Sequence, residues 1–215
     1  MIVLKFPPLN KLVMKNTAEL EELDPKRGIA VLNGYAVVMS HRSIIFFDLH
    51  SYFVHENKIT DPGVMDDLKE VIDFMNGNLF LTAFWEELTK GAAIEITDSE
   101  TMKLKGVVHK DLHYEQKPYE QSVIIEALKQ SMGDPMPIPR SALYVEPLLE
   151  ILSKLGPKVK KDTIALEYVG VNTSIRFTFD ESPWIYGIIS ADPMVTNKGF
   201  MFSALGILYA EINGE

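Results

Sequence analysis

The chain contains no cysteine. This absence excludes a disulfide framework, a thiolate nucleophile and a cysteine-ligated metal site. The chain also lacks an apolar run of about 20 residues, the length that a membrane-spanning helix requires. Residues 1–8, which begin with an apolar stretch and end in two prolines, are too short for the apolar region of a secretory signal. We therefore expect a cytoplasmic protein without a membrane partner.

The motifs of common enzyme classes are missing as well. The chain has no Gly-x-Gly-x-x-Gly sequence, and the Gly156-Pro157-Lys158 stretch lacks the spacing of a phosphate-binding loop. Ser40, His41 and Asp48 are residue types found in catalytic triads, but no Gly-x-Ser-x-Gly elbow accompanies them. Paired carboxylates at Asp66-Asp67 and Glu86-Glu87 point in different directions on a helix and are better explained by solvation. We predict no catalytic residue, no cofactor and no enzymatic activity.

One histidine pair has a spacing that can serve a metal ion. His109 and His113 stand at i and i+4, with Asp111 between them. This segment is predicted to be a strand, in which a rise of about 3.3 Å per residue places the two imidazoles about 13 Å apart. That separation is too large for one ion, so we predict no metal site.

Composition and charge are those of an ordinary globular protein. Hydrophobic residues make up 47% of the 215 residues and charged residues 24%, which is enough to form one large domain or two small ones. The net charge of -9 argues against nonspecific nucleic-acid binding by the surface as a whole. It leaves room for a local basic face, although charge clusters most often belong to a mixed, solvated surface.

A pattern of one short strand, one amphipathic helix and three further strands occurs three times along the chain. The copy near the end of the chain is the clearest, with a helix at 141–155 that Gly156-Pro157 stops and strands at 163–169, 173–179 and 184–190. The first copy has a strand at 1–6, a helix at about 10–23 and strands at 28–32, 35–40 and 43–49. Asn33-Gly34 between two of these strands is a strong signal for a two-residue hairpin.

The second copy begins with a strand at 79–81 and continues into a helix at 83–89, which Gly91 is expected to cap. Its strands are predicted at 92–97, 101–106 and 107–115. Two amphipathic helices, at 64–75 and 119–132, lie outside the pattern, and periodicity does not assign residues 200–212 to a strand or a helix. These elements predict an α+β fold with two domains, residues 1–117 and residues 118–215.

Three segments resemble the half-domain repeat of the DNA sliding clamp family, which includes bacterial, archaeal, eukaryotic and phage clamps. Asn33-Gly34-Tyr35-Ala36-Val37-Val38-Met39-Ser40 and the following residues 44–49 resemble the paired strands after a clamp's first helix. Phe84-Trp85-Glu86-Glu87-Leu88 with residues 93–96 and 102–105 resembles the second repeat. Residues 176–179 and 184–192 are similar to the closing strands of a clamp's last domain. Two complete clamp domains would contain four repeats, so either the segment 119–135 is a degenerate repeat or the second domain is altered.

The resemblance implies a processivity factor of DNA replication, of the phage or bacterial kind. Such a protein forms a ring, here a homotrimer of two-domain chains, with antiparallel sheets outside and helices around a hole for double-stranded DNA. It would tether a DNA polymerase, with a clamp loader as a further partner, and contact phosphates without reading sequence. The DNA-binding lysines implied are Lys11, Lys15, Lys90, Lys129, Lys154, Lys158, Lys160 and Lys161. The alternative is a clamp-like protein-binding module that forms no ring and has no catalytic activity.

Aromatic residues leave two further questions open. Phe46, Phe47, Tyr52 and Phe53 would form a base-stacking surface if they lay exposed on a sheet, although alternating aromatics in strands more often belong to a core. Trp184, which follows Ser182-Pro183, is predicted at the start of a strand near the surface. There it would either anchor a partner or pack against the protein itself.

Overall fold

The computed structural model describes residues 1–13, 28–39, 43–105, 112–130, 135–136, 151, 154, 162–169 and 174–190. The chain divides into two compact units. Unit 1 consists of Met1–Met39 and Phe46–Gln121, and unit 2 consists of Ser40–Ile45 and Ser122–Glu215. In the described part of the chain, no helix is long and apolar enough to cross a bilayer.

The described elements form a mixed α+β fold with antiparallel sheets. The strands are β1 Ile2–Val3, β2 Ile29–Leu32, β3 Tyr35–Met39, β4 Ser43–Asp48, β5 Leu79–Phe80, β6 Ala93–Ile96, β7 Thr101–Lys105, β8 Leu112–Glu115, β9 Pro135–Met136, β10 Ile164–Val169, β11 Ser174–Phe179 and β12 Ile185–Ser190. The helices are α1 Leu49–His55, α2 Pro62–Met75, α3 Thr82–Thr89 and α4 Ser122–Gln130, and a single 3₁₀ turn spans Leu9–Lys11. The predicted helices at 10–23, beyond that turn, and at 141–155 lie largely outside the described residues, as does the segment 200–212.

Unit 1 contains two sets of three consecutive strands, and a fourth strand from elsewhere in the chain pairs with each set. The strands β6, β7 and β8 follow one another in one antiparallel sheet, and β1 completes that sheet by pairing Ile2 with Ile94 of β6. The strands β2, β3 and β4 follow one another in the other sheet, where β5 pairs Phe80 with Ile29 of β2. The first strand of each repeat therefore pairs with the three strands of the other repeat: β1 joins β6, β7 and β8, and β5 joins β2, β3 and β4.

The hairpin between β2 and β3 forms at Asn33-Gly34, as its sequence predicts. Both residues have positive φ, 50° and 80°, which are the backbone angles of a type I′ turn. The Gly34 amide donates a hydrogen bond of 2.8 Å to the side-chain oxygen of Asn76, and the Gly34 carbonyl accepts one of 3.1 Å from the Leu49 amide. The turn is thus tied to the helices that follow it in the chain.

Helix α1 is absent from the sequence-based prediction. It begins after Asp48, whose carboxylate accepts hydrogen bonds from the Ser51 amide at 3.0 Å and the Ser51 hydroxyl at 2.7 Å. This capping interaction satisfies a helix N-terminus where the sequence continues with β-favouring aromatic residues. The aromatic surface considered for Phe46, Phe47, Tyr52 and Phe53 is therefore wrong, because only the first two lie on a strand and both are buried.

Helix α2 confirms the amphipathic helix predicted at 64–75 and starts two residues earlier, at Pro62. The Asp61 carboxylate caps it by accepting hydrogen bonds from the Gly63 amide at 2.9 Å and the Val64 amide at 3.2 Å. Proline is favoured at a first helical position because its missing amide would have no partner there. The buried face consists of Leu68, Val71, Ile72, Phe74 and Met75.

The core of unit 1 is a chain of aromatic contacts. The ring of Phe6 lies 4.9 Å from that of Phe53 and 5.4 Å from that of Trp85, both edge to face. Phe80 continues the chain, 6.0 Å from Trp85 and stacked 4.4 Å from Tyr114. These contacts connect the segment after β1 with α1, β5, α3 and β8, so one cluster stabilises both repeats of the unit.

Unit 2 contains the strand order β9, β10, β11, β12, and its last three strands confirm those predicted at 163–169, 173–179 and 184–190. Ile175, Phe177 and Phe179 alternate on the buried face of β11. Phe177 lies opposite Gly187 of β12, where the missing side chain makes room for its ring. Trp184 precedes β12 and is 8% exposed, so of the two alternatives left open by the sequence, packing against the protein itself is the one observed.

Candidate nucleic-acid interface

Helix α3 belongs to the one repeat whose helix and four strands are all described. Its inward face carries Trp85 and Leu88, both fully buried. The Trp85 indole nitrogen donates a hydrogen bond of 2.8 Å to the Pro7 carbonyl, and the Phe6 amide donates one of 3.1 Å to the Leu88 carbonyl. These contacts hold α3 against the segment after β1, and they leave its opposite face to solvent.

The helix ends at Thr89 as predicted. Gly91 follows with a φ of +84°, the left-handed conformation that commonly ends a helix and that glycine adopts without strain. Lys90 stands between them as the C-terminal cap residue. A cation is electrostatically favoured at this end of a helix, where carbonyl groups without helical partners concentrate negative charge.

Two carboxylates of α3 already bind the ammonium group of Lys90. The Lys90 Nζ lies 2.6 Å from Glu87 Oε1 and 3.9 Å from Glu86 Oε1. The hydrogen bond to Glu87 is the main cause that raises the pKa of Lys90 above its ordinary value, and the smaller effect of desolvation opposes it. Lys90 is therefore charged at neutral pH, but its charge is compensated within its own helix.

Glu87 depends on this ion pair more than Glu86 does. The Glu87 side chain is 17% exposed, against 57% for Glu86. Its second oxygen, Oε2, is buried, and among the residues that the structure describes it has no hydrogen-bond partner. Leaving such a carboxylate without a counter-charge is costly, so Lys90 stabilises the fold as well as adding positive charge to the surface.

The other predicted lysines are distributed over both units. Lys11 is exposed at the end of the 3₁₀ turn against which α3 packs, and Lys129 is exposed in the last turn of α4 in unit 2. Lys154 is a half-buried helical residue of unit 2. Lys15, Lys158, Lys160 and Lys161 lie outside the described residues. The structure therefore brings Lys11 and Lys90 onto neighbouring elements, and leaves the predicted DNA-binding role of the whole set as a prediction.

Sequence reasoning missed the acidic partners of the basic residues. Lys105 on β7 lies 2.5 Å from Glu95 on β6, and Arg176 on β11 lies 2.9 Å from Glu167 on β10. The hydrogen bond from Lys105 also lowers the pKa of the Glu95 carboxyl. On α3 a usable signal was present, because Glu86 and Glu87 precede Lys90 by four and three residues, the spacings at which helical side chains meet.

The residues considered for catalysis and metal binding do not come together in one site among the described residues. The Asp48 carboxylate is engaged at the start of α1, and Asp67 lies 3.9 Å from the N-terminal ammonium group. His113 is exposed on β8, whereas His109 and Asp111 lie outside the described residues. Within the described ranges, no three acidic or histidine side chains are close enough together to hold a metal ion.

Comparison with known proteins adds no relative: no family model, no curated protein and no solved structure matches this chain. Any assignment of function must therefore start from the order of the elements, the pairing of the strands and the charges on α3. The strand pairing of unit 1 is the most distinctive of these features, because it relates two separate stretches of sequence by the same rule.

Proposed function

We propose that this protein is a DNA sliding clamp, a ring-forming processivity factor that encircles duplex DNA and tethers a replicative polymerase. The observation behind the proposal is the reciprocal strand exchange in unit 1. There β1 joins β6, β7 and β8, and β5 joins β2, β3 and β4. The same exchange in both directions gives the two repeats the same order of strands, which is the arrangement expected of a pseudo-symmetric clamp domain.

The order of elements supports the same proposal. In unit 1 the strand β5 is followed by α3 and then by β6, β7 and β8, and in unit 2 the strand β9 precedes β10, β11 and β12. Repeated modules are the means by which a ring reaches even curvature around a cylindrical ligand, and closed rings are common among homo-oligomers. Two such units in each of three chains would provide six modules around the DNA.

In the proposed clamp, the closed ring would retain the DNA and positive charge on the inner helices would contact it. Duplex DNA would pass through the ring, helices such as α3 would face it, and lysines would contact phosphates without reading bases. Lys11, Lys90 and Lys129 are exposed and are the described candidates for this role, with the half-buried Lys154 as a further candidate. The acidic balance of the chain as a whole would keep DNA from binding elsewhere on the surface. Polymerase, clamp loader and cytoplasmic location belong to the same proposal.

One observation favours the alternative, a clamp-like module that binds protein and forms no ring. The exposed face of α3 presents Glu86 and Lys90, and Glu87 holds the lysine, so two negative charges stand against one positive charge. A helix with this balance is a poor surface for phosphate. A protein partner, in contrast, would tolerate it because most exposed protein surfaces carry both signs of charge.

The native mass separates the two candidates. Size-exclusion chromatography with light scattering, over a concentration series in moderate salt, should give a trimer of about 73 kDa, three times the chain mass of 24.3 kDa. A monomer at every concentration would contradict the ring and favour the protein-binding module. A dimer would contradict the ring of six modules, because two chains provide only four units.

A further inference from the structure

We propose that Glu86 and Glu87 hold Lys90 away from DNA phosphates and thereby make the contact between α3 and duplex DNA weak and easily broken. This inference rests on the proposed sliding clamp and concerns the strength of its contact with duplex DNA. The sequence alone names Lys90 as one of the lysines that contact phosphate, without a partner in the protein. Within one turn of α3, however, Lys90 is paired with Glu87 and Glu86.

Lys90 is engaged and oriented by carboxylates of its own helix. A separation of 2.6 Å from Glu87 Oε1 is a strong, charge-assisted hydrogen bond. The 3.9 Å separation from Glu86 adds a second attraction along the same face of the helix. To reach a phosphate, the ammonium group must leave Glu87 or share its protons with both groups.

Withdrawal of the Lys90 ammonium group from Glu87 is unfavourable. Its Oε2 atom is buried and, within the described part of the chain, unpartnered, so withdrawal of Lys90 would leave a largely buried carboxylate with neither oxygen paired. A phosphate close to α3 meets two carboxylates within the screening length of about 8 Å at physiological salt, and these repel it.

A weak contact suits a protein that must slide. Each phosphate contact that forms must also break as the ring moves along the duplex, and a lysine that returns to an internal partner makes the breaking easier. Glu86 and Glu87 would therefore be residues that set affinity and mobility, and Lys90 would respond to them.

The test is equilibrium binding of a fluorescent linear duplex to the full chain over a series of salt concentrations. We expect E86Q/E87Q to bind about three- to tenfold more tightly than wild type at low salt. The slope of log K against log salt should steepen by about 0.9 for each lysine that newly reaches a phosphate. Adding K90Q to the E86Q/E87Q variant should remove most of the gain in binding.

A matched control separates this local effect from net charge. The variant E70Q/D73N removes the same number of negative charges from the exposed face of α2, which lies outside the repeats. It should leave the salt slope unchanged. Circular dichroism of each variant checks that α3 and the fold persist, since loss of Glu87 also removes a largely buried carboxylate.

The outcomes distinguish this inference from the function on which it rests. If wild type binds duplex and forms a trimer while E86Q/E87Q binds no more tightly, the inference is wrong and the clamp stands. If E70Q/D73N gives the same gain as E86Q/E87Q, net charge explains the effect and the inference is also wrong. If no variant binds duplex at any salt concentration and every one is monomeric, both proposals fail.

Discussion

At the scale of single residues, the polar contacts that matter most are those that hold distant segments of unit 1 together. Trp85 and Tyr119 each donate a hydrogen bond to a backbone carbonyl about eighty residues away in sequence, at Pro7 and Val31 respectively. Both donors are buried, and a buried carbonyl left without its partner costs free energy. Phenylalanine substitutions test these contacts: Tyr119→Phe removes only the hydroxyl donor, whereas Trp85→Phe removes the donor together with part of the ring.

Trp85→Phe should lower the free energy of unfolding by about 2–4 kcal/mol, because the Pro7 carbonyl loses its donor in a buried site and the smaller ring leaves a cavity. Urea denaturation followed by circular dichroism measures the change without depending on either of the two tryptophans. Tyr35→Phe is a suitable control, since Tyr35 is 38% exposed and its substitution should cost within about 0.5 kcal/mol. Equal costs for both variants would show that the Trp85 hydrogen bond does not stabilise the fold.

Burial of two tyrosines predicts a loss of stability at alkaline pH. Burial raises the pKa of Tyr119 to about 12 and that of Tyr114 further above its ordinary value, although a backbone hydrogen bond opposes the second shift. Tyrosine in an unfolded chain ionises near pH 10. The unfolded state therefore loses its proton first, so the stabilisation is complete below about pH 10 and decreases as the pH rises towards about 12.

The free energy of unfolding, measured at intervals across this alkaline range, should fall steadily. Tyr119→Phe should lower stability at neutral pH and flatten the alkaline decline, because one of the titrating groups is gone. Tyrosinate absorbance of the native protein gives an independent check of which groups ionise. A native titration complete near pH 10 would contradict the raised pKa values.

At the scale of elements, glycine and capping residues decide where strands and helices meet. Asn33-Gly34 forms a tight turn from its own backbone preferences, and Asp48 and Asp61 start α1 and α2 through side-chain hydrogen bonds. Gly187 acts differently, through the space that it leaves beside the ring of Phe177. This last requirement is a matter of packing between strands and yields a specific prediction.

Gly187→Ala should destabilise unit 2 by about 1–3 kcal/mol, the usual cost of forcing extra volume into a packed core. A Cβ at this position would overlap the Phe177 ring and lie 3.0 Å from the Ile44 carbonyl oxygen. Fluorescence of Trp184, next to β12, reports the unfolding of this region when Trp85 is replaced by Phe in all variants.

A double-mutant cycle with Phe177→Leu identifies the cause. If the ring is the obstacle, Gly187→Ala should cost clearly less in the Phe177→Leu background than in the parent. The same cost in both backgrounds would mean that the clash with Phe177 is relieved by local movement and that another contact is responsible.

At the scale of the whole molecule, the proposed clamp holds DNA by enclosing it, and this predicts a response to DNA topology. The protein should remain on closed circular duplex through a high-salt wash that disrupts phosphate contacts, and it should be released when the circle is cut. Replacing the duplex sequence should have no effect, because phosphate contacts do not distinguish bases. Equal loss from circular and linear DNA would contradict enclosure and leave the protein-binding module as the better proposal.

The parts of the fold that sequence predicted are those with local causes. The strands of the two described three-strand sets of unit 1, the Asn33-Gly34 hairpin, the helix around Trp85 and the amphipathic helix α2 all follow from short-range periodicity and turn chemistry. Helix α1 was missed because Tyr52, Phe53 and Val54 favour strands, and the capping signal of Asp48 is a single side chain.

The candidate site shows the same division. The lysines could be named from sequence, and the helical spacing of Glu86, Glu87 and Lys90 indicated that they could meet. That Glu87 is largely buried, and that one of its oxygens has no partner among the described residues, follows only from how α3 packs against the rest of unit 1.

Apart from α1, the sequence by itself determined the kinds of elements in the described part of the chain, because helix and strand periodicity, turns and caps act over a few residues. It also determined what is absent from the chain, from cysteine chemistry to nucleotide-binding loops. Only the tertiary structure decided that β1 completes the sheet of β6 and that β5 completes the sheet of β2. Those pairings join residues far apart in the chain, and their stability comes from a shared aromatic core that no local pattern encodes.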